Sequence, residues 1–330
     1  MKPRVGFLGA GWIGRHRMAA MLATGAVEAA AVCDPSPKGV AEAATLAPGA
    51  EQVGSLDEML ELGLDGVVIA TPSALHAAQS IQALEAGCAV FCQKPLGRNA
   101  AEVRRVIEAA RSADRLLGVD LSYRHTAATR AIVARLSAGA LGELFAVDLT
   151  FHNAYGPDKP WFYDPEQSGG GCLIDLGVHL VDLALWALDF PQVSGVAAAL
   201  RSGGQPVHPG SVEDYAVAQF TAGGIAVRLA CSWRLHAGRD AVIEAAFYGT
   251  GGGARLSNVG GSFYDFTAEA FDGTASETLV TPPDDWGGRA AAAWAERLAA
   301  DPAFDPAAEH FAASAEVLDR IYAVTRSGAP

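Results

Sequence analysis

The sequence has few charged residues and no excess of basic ones. Charged side chains make up 18% of its 330 residues, and 37 Asp and Glu outnumber 24 Lys and Arg, giving a formal net charge of −13. A protein that binds the phosphate backbone of a nucleic acid needs clustered Lys and Arg. The densest basic group, between Arg4 and Arg17, lies beside a glycine-rich loop and suits one dinucleotide phosphate group better than a duplex. We therefore expect no nucleic-acid partner.

Paired cysteines and long apolar runs are also absent from the sequence. Its five cysteines are an odd number without CxxC spacing, which predicts buried thiols rather than a disulfide framework or a structural zinc site. No metal site is predicted. No stretch approaches 18 uninterrupted apolar residues, and the short run Val5–Leu8 leads into glycines without a cleavage-site pattern. We expect a cytoplasmic protein with no membrane-spanning segment.

Hydrophobic residues, in contrast, make up 50% of the chain, which excludes the disordered class. Over the first 120 residues, short apolar runs alternate with helical patterns. The predicted strands are Arg4–Leu8, Glu28–Cys33, Gly66–Ala70, Ala89–Cys92 and Leu116–Val119. The predicted helices are Ile13–Ala23, Leu56–Leu62, Ala74–Ala86 and Ala100–Ser112. Fully apolar strands that alternate with amphipathic helices form βαβ units, so residues 1–122 are predicted to be an NAD(P)-binding Rossmann domain with a doubly wound parallel sheet.

The pattern changes after about Tyr123. A helix at Ala127–Leu136 and a strand at Leu144–Phe151 lead to a long apolar helix, Leu173–Leu188. From there to about residue 282, strands joined by glycine-containing turns indicate hairpins. We predict that residues 123–330 form an α+β domain for substrate binding and oligomerisation, with a large, open, mostly antiparallel sheet flanked by helices. The terminal helix, about residues 307–326, either stays in this domain or packs back on the first.

The segment Gly9–Gly14 is a complete G-x-G-x-x-G, directly after an apolar strand and at the start of a helix. Its glycines permit a tight turn, close backbone approach to a pyrophosphate and close helix–strand packing. The helix N-terminus offers N–H donors to the phosphates. Asp34 ends the second strand, where a carboxylate accepts hydrogen bonds from ribose hydroxyls and repels a 2′-phosphate. NAD is the predicted cofactor, and NADP stays open because Lys38 is within reach of a 2′-phosphate.

Lys94 follows the strand Ala89–Cys92, in the segment Gln93-Lys94-Pro95. The carboxyl end of a parallel strand is where open α/β sheets bind their ligands. Pro95 favours an extended conformation for Lys94 and ends the strand. Taken by itself, Lys94 fits either a catalytic residue or a solvated loop residue.

Asp175 and His179 are four residues apart in a helix that is otherwise apolar nearly all round. Burying a carboxylate and an imidazole is costly unless they are paired or functional. They fit either a general base with an orienting carboxylate or a hydrogen-bonded core pair. Asp182 continues the same stripe and is predicted to make a structural hydrogen bond. Gly177 weakens the helix, which predicts a close approach to its backbone.

With these motifs in order, the chain resembles the Gfo/Idh/MocA family, the relatives of glucose–fructose oxidoreductase and inositol dehydrogenase. Residues 70–76 resemble the family's TP-x-x-x-H segment, and Gln93-Lys94-Pro95 matches its EKP site. Residues 161–165 and 168–179 resemble its W-x-x-D-P and S-G-G-G…D-x-G-x-H segments. The likeness runs through most of the first 190 residues. Gln93, where the family usually has glutamate, is the departure; it predicts altered cofactor affinity or redox balance.

The resemblance implies roles for the catalytic residues. Lys94 would polarise the substrate oxygen, His179 would exchange the hydroxyl proton as a hydride moves to or from nicotinamide C4, and Asp175 would orient His179. The expected cofactor-binding residues are Gly9, Gly11, Trp12, Ile13, Gly14, Asp34, Thr71, Pro72, Ser73, His76, Gln93 and Lys94. The expected substrate-binding residues are Tyr123, Arg124, His152, Trp161, Asp175 and His179.

The family's usual substrates imply oxidation or reduction of a secondary alcohol, ketone or anomeric carbon of a sugar, inositol or related polyol. Two alternatives stay open at this point. One is a non-catalytic NAD(P)-binding regulator on the same fold. The other is an NAD-dependent hydrolase that uses transient oxidation to help cleave a glycosidic bond. The resemblance also implies a homodimer or homotetramer, formed through the second domain's sheet.

Overall fold

A computed structural model of the chain describes residues 1–327. The chain forms two compact units, Met1–Asp120 with Gly288–Ala312, and Leu121–Gly287 with the segment that begins at Ala313. Each unit has its own apolar core.

The first unit is built around a six-stranded parallel sheet. Its strands are β1 (Arg4–Leu8), β2 (Glu28–Cys33), β3 (Glu51–Gln52), β4 (Gly66–Ile69), β5 (Ala89–Cys92) and β6 (Leu117–Val119). They are ordered β3-β2-β1-β4-β5-β6, which confirms the predicted doubly wound sheet. The connecting helices are α1 (Trp12–Ala23), α2 (Pro37–Leu46), α3 (Leu56–Leu60), α4 (Ser73–Glu85) and α5 (Ala100–Ala113). Strands β4 and β5 are buried along their whole length, as parallel strands covered on both faces are.

The second unit contains a nine-stranded sheet. Its strands are β7 (Leu144–Asn153), β8 (Val193–Ser202), β9 (Gln205–Pro206), β10 (Tyr215–Ala222), β11 (Ile225–Ser232), β12 (Ala241–Gly249), β13 (Gly252–Asn258), β14 (Phe266–Asp272) and β15 (Ala275–Val280). The order is β15-β14-β13-β12-β7-β11-β10-β8-β9, and β7 with β11 is the parallel pair among otherwise antiparallel neighbours. Side chains of β10 alternate between buried and accessible, which is the pattern of a sheet with one covered face. The mostly antiparallel sheet agrees with the prediction.

Helices of the second unit are α6 (Ala127–Ser137), the short α7 (Pro165–Ser168) and α8 (Val178–Ala187). The predicted helix Leu173–Leu188 is only partly α-helical, because its first turn, Leu173–Gly177, is a π-helix. π-helical turns inside α-helices are frequent at functional sites. The helical stretch Pro165–Ala187 is long and apolar enough to cross a membrane by composition, but 78% of its most apolar window is buried inside the protein. The stretch is thus a helical segment packed inside the protein.

The remaining helices divide differently from the predicted boundary, which assigned all of residues 123–330 to the second domain. Helix α9 (Arg289–Ala300) belongs to the first unit, whereas α10 (Phe311–Ser327) lies almost wholly in the second. The physical reason is Trp294, whose ring contacts Phe91 of β5 at a centroid distance of 5.8 Å. A Cβ on Gly118 of β6 would lie 2.6 Å from the same indole, so the small residue in the strand makes room for it.

Candidate active site

The glycine loop after β1 has two glycines that the protein itself requires and one that it does not. Gly9 has φ +93°, and a Cβ there would lie 2.5 Å from the Ala70 carbonyl oxygen; a Cβ on Gly14 would lie 2.1 Å from the Gly9 carbonyl oxygen. A Cβ on Gly11 would meet no atom within 4 Å. Gly11 therefore leaves open space beside the backbone, as close approach of a pyrophosphate requires.

The surroundings of this loop also fit a dinucleotide. Helix α1 begins immediately after Gly11 with no side-chain cap, so its first N–H groups are available to a phosphate. The Asp34 carboxylate accepts hydrogen bonds from the backbone N–H groups of Ala10 (2.6 Å) and Ser36 (2.7 Å). These bonds fix its position, and a carboxylate keeps further lone pairs for ribose hydroxyls. Lys38, in contrast, is exposed and lies 3.9 Å from Glu42.

The other residues predicted to bind the cofactor near these loops differ in their exposure to solvent. Trp12 is exposed, with its ring 5.7 Å from that of His16, and Ile13 is partly exposed. In the next loop, Thr71 and Pro72 are partly exposed and Ser73, the first residue of α4, is buried. That these residues contact the cofactor stays a prediction.

His76 connects two loops at the carboxyl ends of neighbouring strands. Its Nδ1 lies 2.7 Å from the Pro95 carbonyl oxygen and its Nε2 lies 2.7 Å from the Thr71 carbonyl oxygen. The side chain is buried, and burial lowers its pKa. This geometry makes His76 a brace between the loop after β4 and the turn that carries Lys94.

Lys94 is partly exposed, although Gln93 before it and Pro95 after it are buried. The Lys94–Pro95 peptide bond is cis. The Gln93 amide donates a hydrogen bond from Nε2 to Oδ2 of Asp120, at 2.6 Å. Asp120 follows β6 and is a residue that sequence reasoning missed, since no motif surrounds it. The structure thus places an ammonium with solvent access at the carboxyl edge of the sheet, where α/β folds bind ligands.

In the second unit, Asp175 and His179 are partly exposed on an otherwise buried helical segment. All other residues from Gly171 to Leu185 are buried. The Trp233 indole donates to Oδ2 of Asp175 at 3.1 Å. The ring of Tyr123 lies 4.9 Å from that of His179 in an edge-to-face arrangement. Burial, and then the charge of Asp175, raise the pKa of the Tyr123 phenol, so at neutral pH it is a neutral donor beside the imidazole.

The start of this segment is held by Glu213, a second residue that no sequence motif indicates. Its Oε1 accepts hydrogen bonds from the backbone N–H groups of Gly171 (3.0 Å) and Leu173 (2.9 Å) and from the Tyr322 hydroxyl (2.8 Å). A Cβ on Gly171 would lie 1.9 Å from the Glu213 carbonyl oxygen, and one on Gly170 would lie 2.0 Å from the Tyr322 hydroxyl. The glycine run therefore makes room for the Tyr322 side chain and for the backbone of Glu213, and the Glu213 carboxylate holds the N–H groups of Gly171 and Leu173.

The close approach predicted at Gly177 also involves the protein itself. A Cβ there would lie 2.7 Å from Cδ1 of Leu173 and 3.5 Å from Sγ of Cys231. All five cysteines are buried, as predicted.

The structure gives Arg124 a different task from the predicted one of binding substrate. Its guanidinium donates to both carboxylate oxygens of Asp182, at 2.7 and 2.5 Å, and lies over the rings of Trp186 and Phe190. Asp182 is 2% exposed and also accepts from Ser314 at 3.3 Å. Arg124 is thus the counter-charge of a buried carboxylate, which agrees with the structural role predicted for Asp182.

Two other predicted substrate residues, His152 and Trp161, are not fully buried, and their contact with a substrate stays a prediction. His152 is partly buried, stacks on Tyr215 and lies 2.8 Å from the Ser232 hydroxyl. Burial lowers its pKa, so it is uncharged at neutral pH. Trp161 is partly exposed and stacks on Phe162 at a centroid distance of 3.8 Å.

Comparison with known proteins agrees with this geometry. Residues 3–121 match the oxidoreductase family with an NAD-binding Rossmann fold, and residues 129–255 match the GFO/IDH/MocA C-terminal domain. The D-glucoside 3-dehydrogenase of Escherichia coli (strain K12) is 30% identical over 272 residues, covering 77% of this chain and 76% of that protein. The inositol 2-dehydrogenase of Acidiphilium cryptum (strain JF-5) is 33% identical over 205 residues, covering 61% and 59%.

A solved structure extends the likeness to nearly the whole chain. GenD2 from gentamicin A biosynthesis, in complex with NAD, has a TM-score of 0.82 at 26% identity, covering 99% of this chain and 95% of that one. Fold and site define an NAD(P)-binding oxidoreductase. The chain belongs to the Gfo/Idh/MocA family, as its motifs predicted.

Proposed function

We propose that the protein is an NAD(P)-dependent dehydrogenase or reductase acting on a CH–OH carbon of a sugar, inositol or related polyol. The observation that carries the proposal is the accessibility of Asp175 and His179 on a segment that is otherwise buried from Gly171 to Leu185. A core pair would have been buried with its neighbours. The names of the two relatives, a glucoside 3-dehydrogenase and an inositol 2-dehydrogenase, support secondary alcohols of sugars and polyols as the substrate class.

The proposed chemistry divides among three side chains. When bound, the nicotinamide supplies the acceptor or donor of a hydride. In the direction of oxidation, the His179 imidazole takes the proton of the substrate hydroxyl as the hydride leaves the same carbon, and in reduction it returns that proton. The Lys94 ammonium stabilises the negative charge that develops on the substrate oxygen. Asp175, fixed by the Trp233 indole, orients His179 and stabilises its protonated form.

We infer a preference for NAD over NADP from the environment of Asp34. Two backbone hydrogen bonds hold its carboxylate in place at the end of β2. A fixed negative charge at this position accepts ribose hydroxyls and repels a 2′-phosphate.

The proposed oligomer, a homodimer or homotetramer, uses the open face of the second unit's sheet. Val217, on the accessible side of β10, is 40% exposed, and Ala226 of the neighbouring strand β11 is exposed as well. The same face carries Gln219 and the Arg228–Asp148 ion pair, so it is a broad, open sheet face of mixed polarity, which suits association of two copies. Sedimentation of the purified protein tests the assembly, and a monomer at micromolar concentration would contradict it.

A cofactor-reduction assay tests the function. The purified protein is incubated with NAD or NADP and a panel of glucosides, inositols and free sugars, and formation of reduced nicotinamide is followed by absorbance. We expect activity with at least one of these classes, abolished in Lys94→Ala and His179→Ala. Lys2→Ala is the matched control, because Lys2 is exposed before the amino end of β1, the opposite end of the strand from the glycine loop.

Two results would contradict the proposal in different ways. Free sugar released from glycosides without net reduction of NAD would favour the redox-assisted hydrolase. Tight NADH binding with no turnover across the panel would favour the regulator.

A further inference from the structure

An ion pair is buried at the carboxyl edge of the Rossmann sheet. Nε of Arg17, from α1, donates to Oδ2 of Asp120 at 2.5 Å, and the two side chains are 8% and 1% exposed. Taking both charges out of water is costly, and removing one partner leaves the other uncompensated. The two side chains therefore hold each other in place at this edge of the sheet.

Gln93 joins the same carboxylate oxygen. Its Nε2 lies 2.6 Å from Oδ2 of Asp120, and its side chain is almost fully buried. An ionised carboxylate can only accept hydrogen bonds, so the donor end of the amide must face Asp120. The acceptor end, Oε1, then faces away from Asp120, on the residue that directly precedes Lys94 in the chain.

This arrangement explains why glutamine replaces the family's usual glutamate. A glutamate at position 93 would bring a second carboxylate within hydrogen-bond distance of Asp120, with Arg17 as the cation seen at that carboxylate oxygen. Two carboxylates this close cannot both ionise freely, and the pKa of one rises strongly. Asp120 thus supplies the carboxylate at this edge of the sheet, and the neutral Gln93 amide can donate a hydrogen bond to it, which a glutamate at position 93 could not do when ionised.

We propose that Asp120, held by Arg17, is a positioning residue that orients the Gln93 amide so that Oε1 accepts a hydrogen bond from the bound dinucleotide. The inference rests on the cofactor use of the proposed function and is independent of its substrate. The donors that a dinucleotide offers near a catalytic lysine are its carboxamide N–H and ribose hydroxyl groups.

A charge-swap experiment tests the proposal, with NADH affinity and the melting temperature of the cofactor-free protein as readouts. Gln93→Glu is expected to weaken NADH binding at least about tenfold and to lower the melting temperature at about pH 8.5, and both effects should diminish toward pH 6 as one carboxyl takes up a proton. Asp120→Asn alone should also weaken binding, because an amide at position 120 can donate as well as accept and no longer determines which end of the Gln93 amide faces it. The double variant exchanges amide and acid and should return NADH affinity to within roughly threefold of the parent.

Two further variants keep the experiment decisive. Gln82→Glu is the matched control, because Gln82 donates to Asp57 in the same way but on the exposed surface; it should leave NADH affinity unchanged. Gln93→Met removes the acceptor without adding charge and should weaken NADH binding several-fold in a stably folded protein.

NADH affinity of parent strength in Gln93→Met would overturn the role of Oε1. A double variant no better than its single variants would overturn the coupling to Asp120. Neither measurement involves turnover, so failure to find a sugar substrate would leave both results interpretable.

Discussion

Replacement of Glu213 tests how the segment that carries Asp175 and His179 is held. Glu213 is 2% exposed, and one of its oxygens accepts hydrogen bonds from two backbone N–H groups and the Tyr322 hydroxyl. Glu213→Ala leaves these three donors without their acceptor. At about 1 kcal/mol for each donor, after partial rescue by water, the free energy of unfolding should fall by about 3 kcal/mol. Misplacement of Asp175 should also lower kcat, by roughly tenfold to a hundredfold.

Glu213→Gln separates the hydrogen bonds from the charge. Burial raises the pKa of Glu213 above its ordinary value of 4.5, although the hydrogen bonds lower it. The native state therefore binds a proton more readily than the unfolded state. As the pH rises from 4.5 through the raised native pKa, the parent loses stability that the amide variant keeps. The advantage of the parent over Glu213→Gln should shrink across this window and be largest below it.

Urea unfolding at several pH values between about 4.5 and 8 measures both effects. Glu143→Ala is the control for loss of charge alone, because Glu143 is exposed and directly precedes β7. A loss below about 1 kcal/mol in Glu213→Ala would refute the anchoring role. A parent that gains stability over Glu213→Gln as the pH rises would show that the hydrogen bonds outweigh burial and that the native pKa is lowered.

Three further predictions concern the cofactor-binding residues Gly11 and Asp34 and the buried ion pair between Arg124 and Asp182. Gly11→Ala should leave the melting temperature of the cofactor-free protein within a few degrees of the parent but weaken NADH binding at least about a hundredfold, because its Cβ would occupy only space left for the cofactor. Gly14→Ala, whose Cβ would collide with backbone, should lower the melting temperature itself. Equal effects of the two substitutions would contradict this prediction. Asp34→Asn should reduce the ratio of NAD to NADP affinity at least about tenfold in titrations with each cofactor. Arg124→Met should cost about 3–5 kcal/mol of unfolding free energy in urea, because Asp182 is left buried without its cation; a stable variant with a raised KM would instead restore the substrate role.

The Rossmann sheet could be predicted from the sequence because most of its strands are short apolar runs, largely buried and separated by amphipathic helices. Strands β1, β2 and β5 have the predicted bounds, since apolar runs end where the chain leaves the core. The short edge strand β3 and helix α2 were not predicted; β3 is exposed and carries no apolar signal. The assignment of α9 to the first unit depends on Trp294 packing against Phe91 and Gly118, which precede it by 203 and 176 positions, and no local pattern encodes such contacts.

The site was predictable where a motif is local and unpredictable where a partner is distant. Three motifs were local in this sense: the glycine loop, the segment around Lys94 and the segment Asp175–His179. Each is formed by fewer than about a dozen consecutive residues. Asp120 and Glu213 escaped notice because what makes them important is a hydrogen bond to a residue on another element. Arg124 was assigned to substrate for the same reason, since its partner Asp182 is 58 positions away.

The two glycine-rich segments show how one sequence signal can serve opposite purposes. Beside Gly11 there is open space, whereas the space beside Gly170 is filled by the Tyr322 hydroxyl and the space beside Gly171 by the backbone carbonyl of Glu213. Open space alone does not mark a ligand site, since turn glycines such as Gly63 and Gly139 border it as well. At Gly11 the open space coincides with an uncapped helix N-terminus directly after a parallel strand, which fits a bound phosphate. We therefore expect Gly11→Ala to act on cofactor affinity, and substitutions at Gly170 and Gly171 to act on stability and kcat.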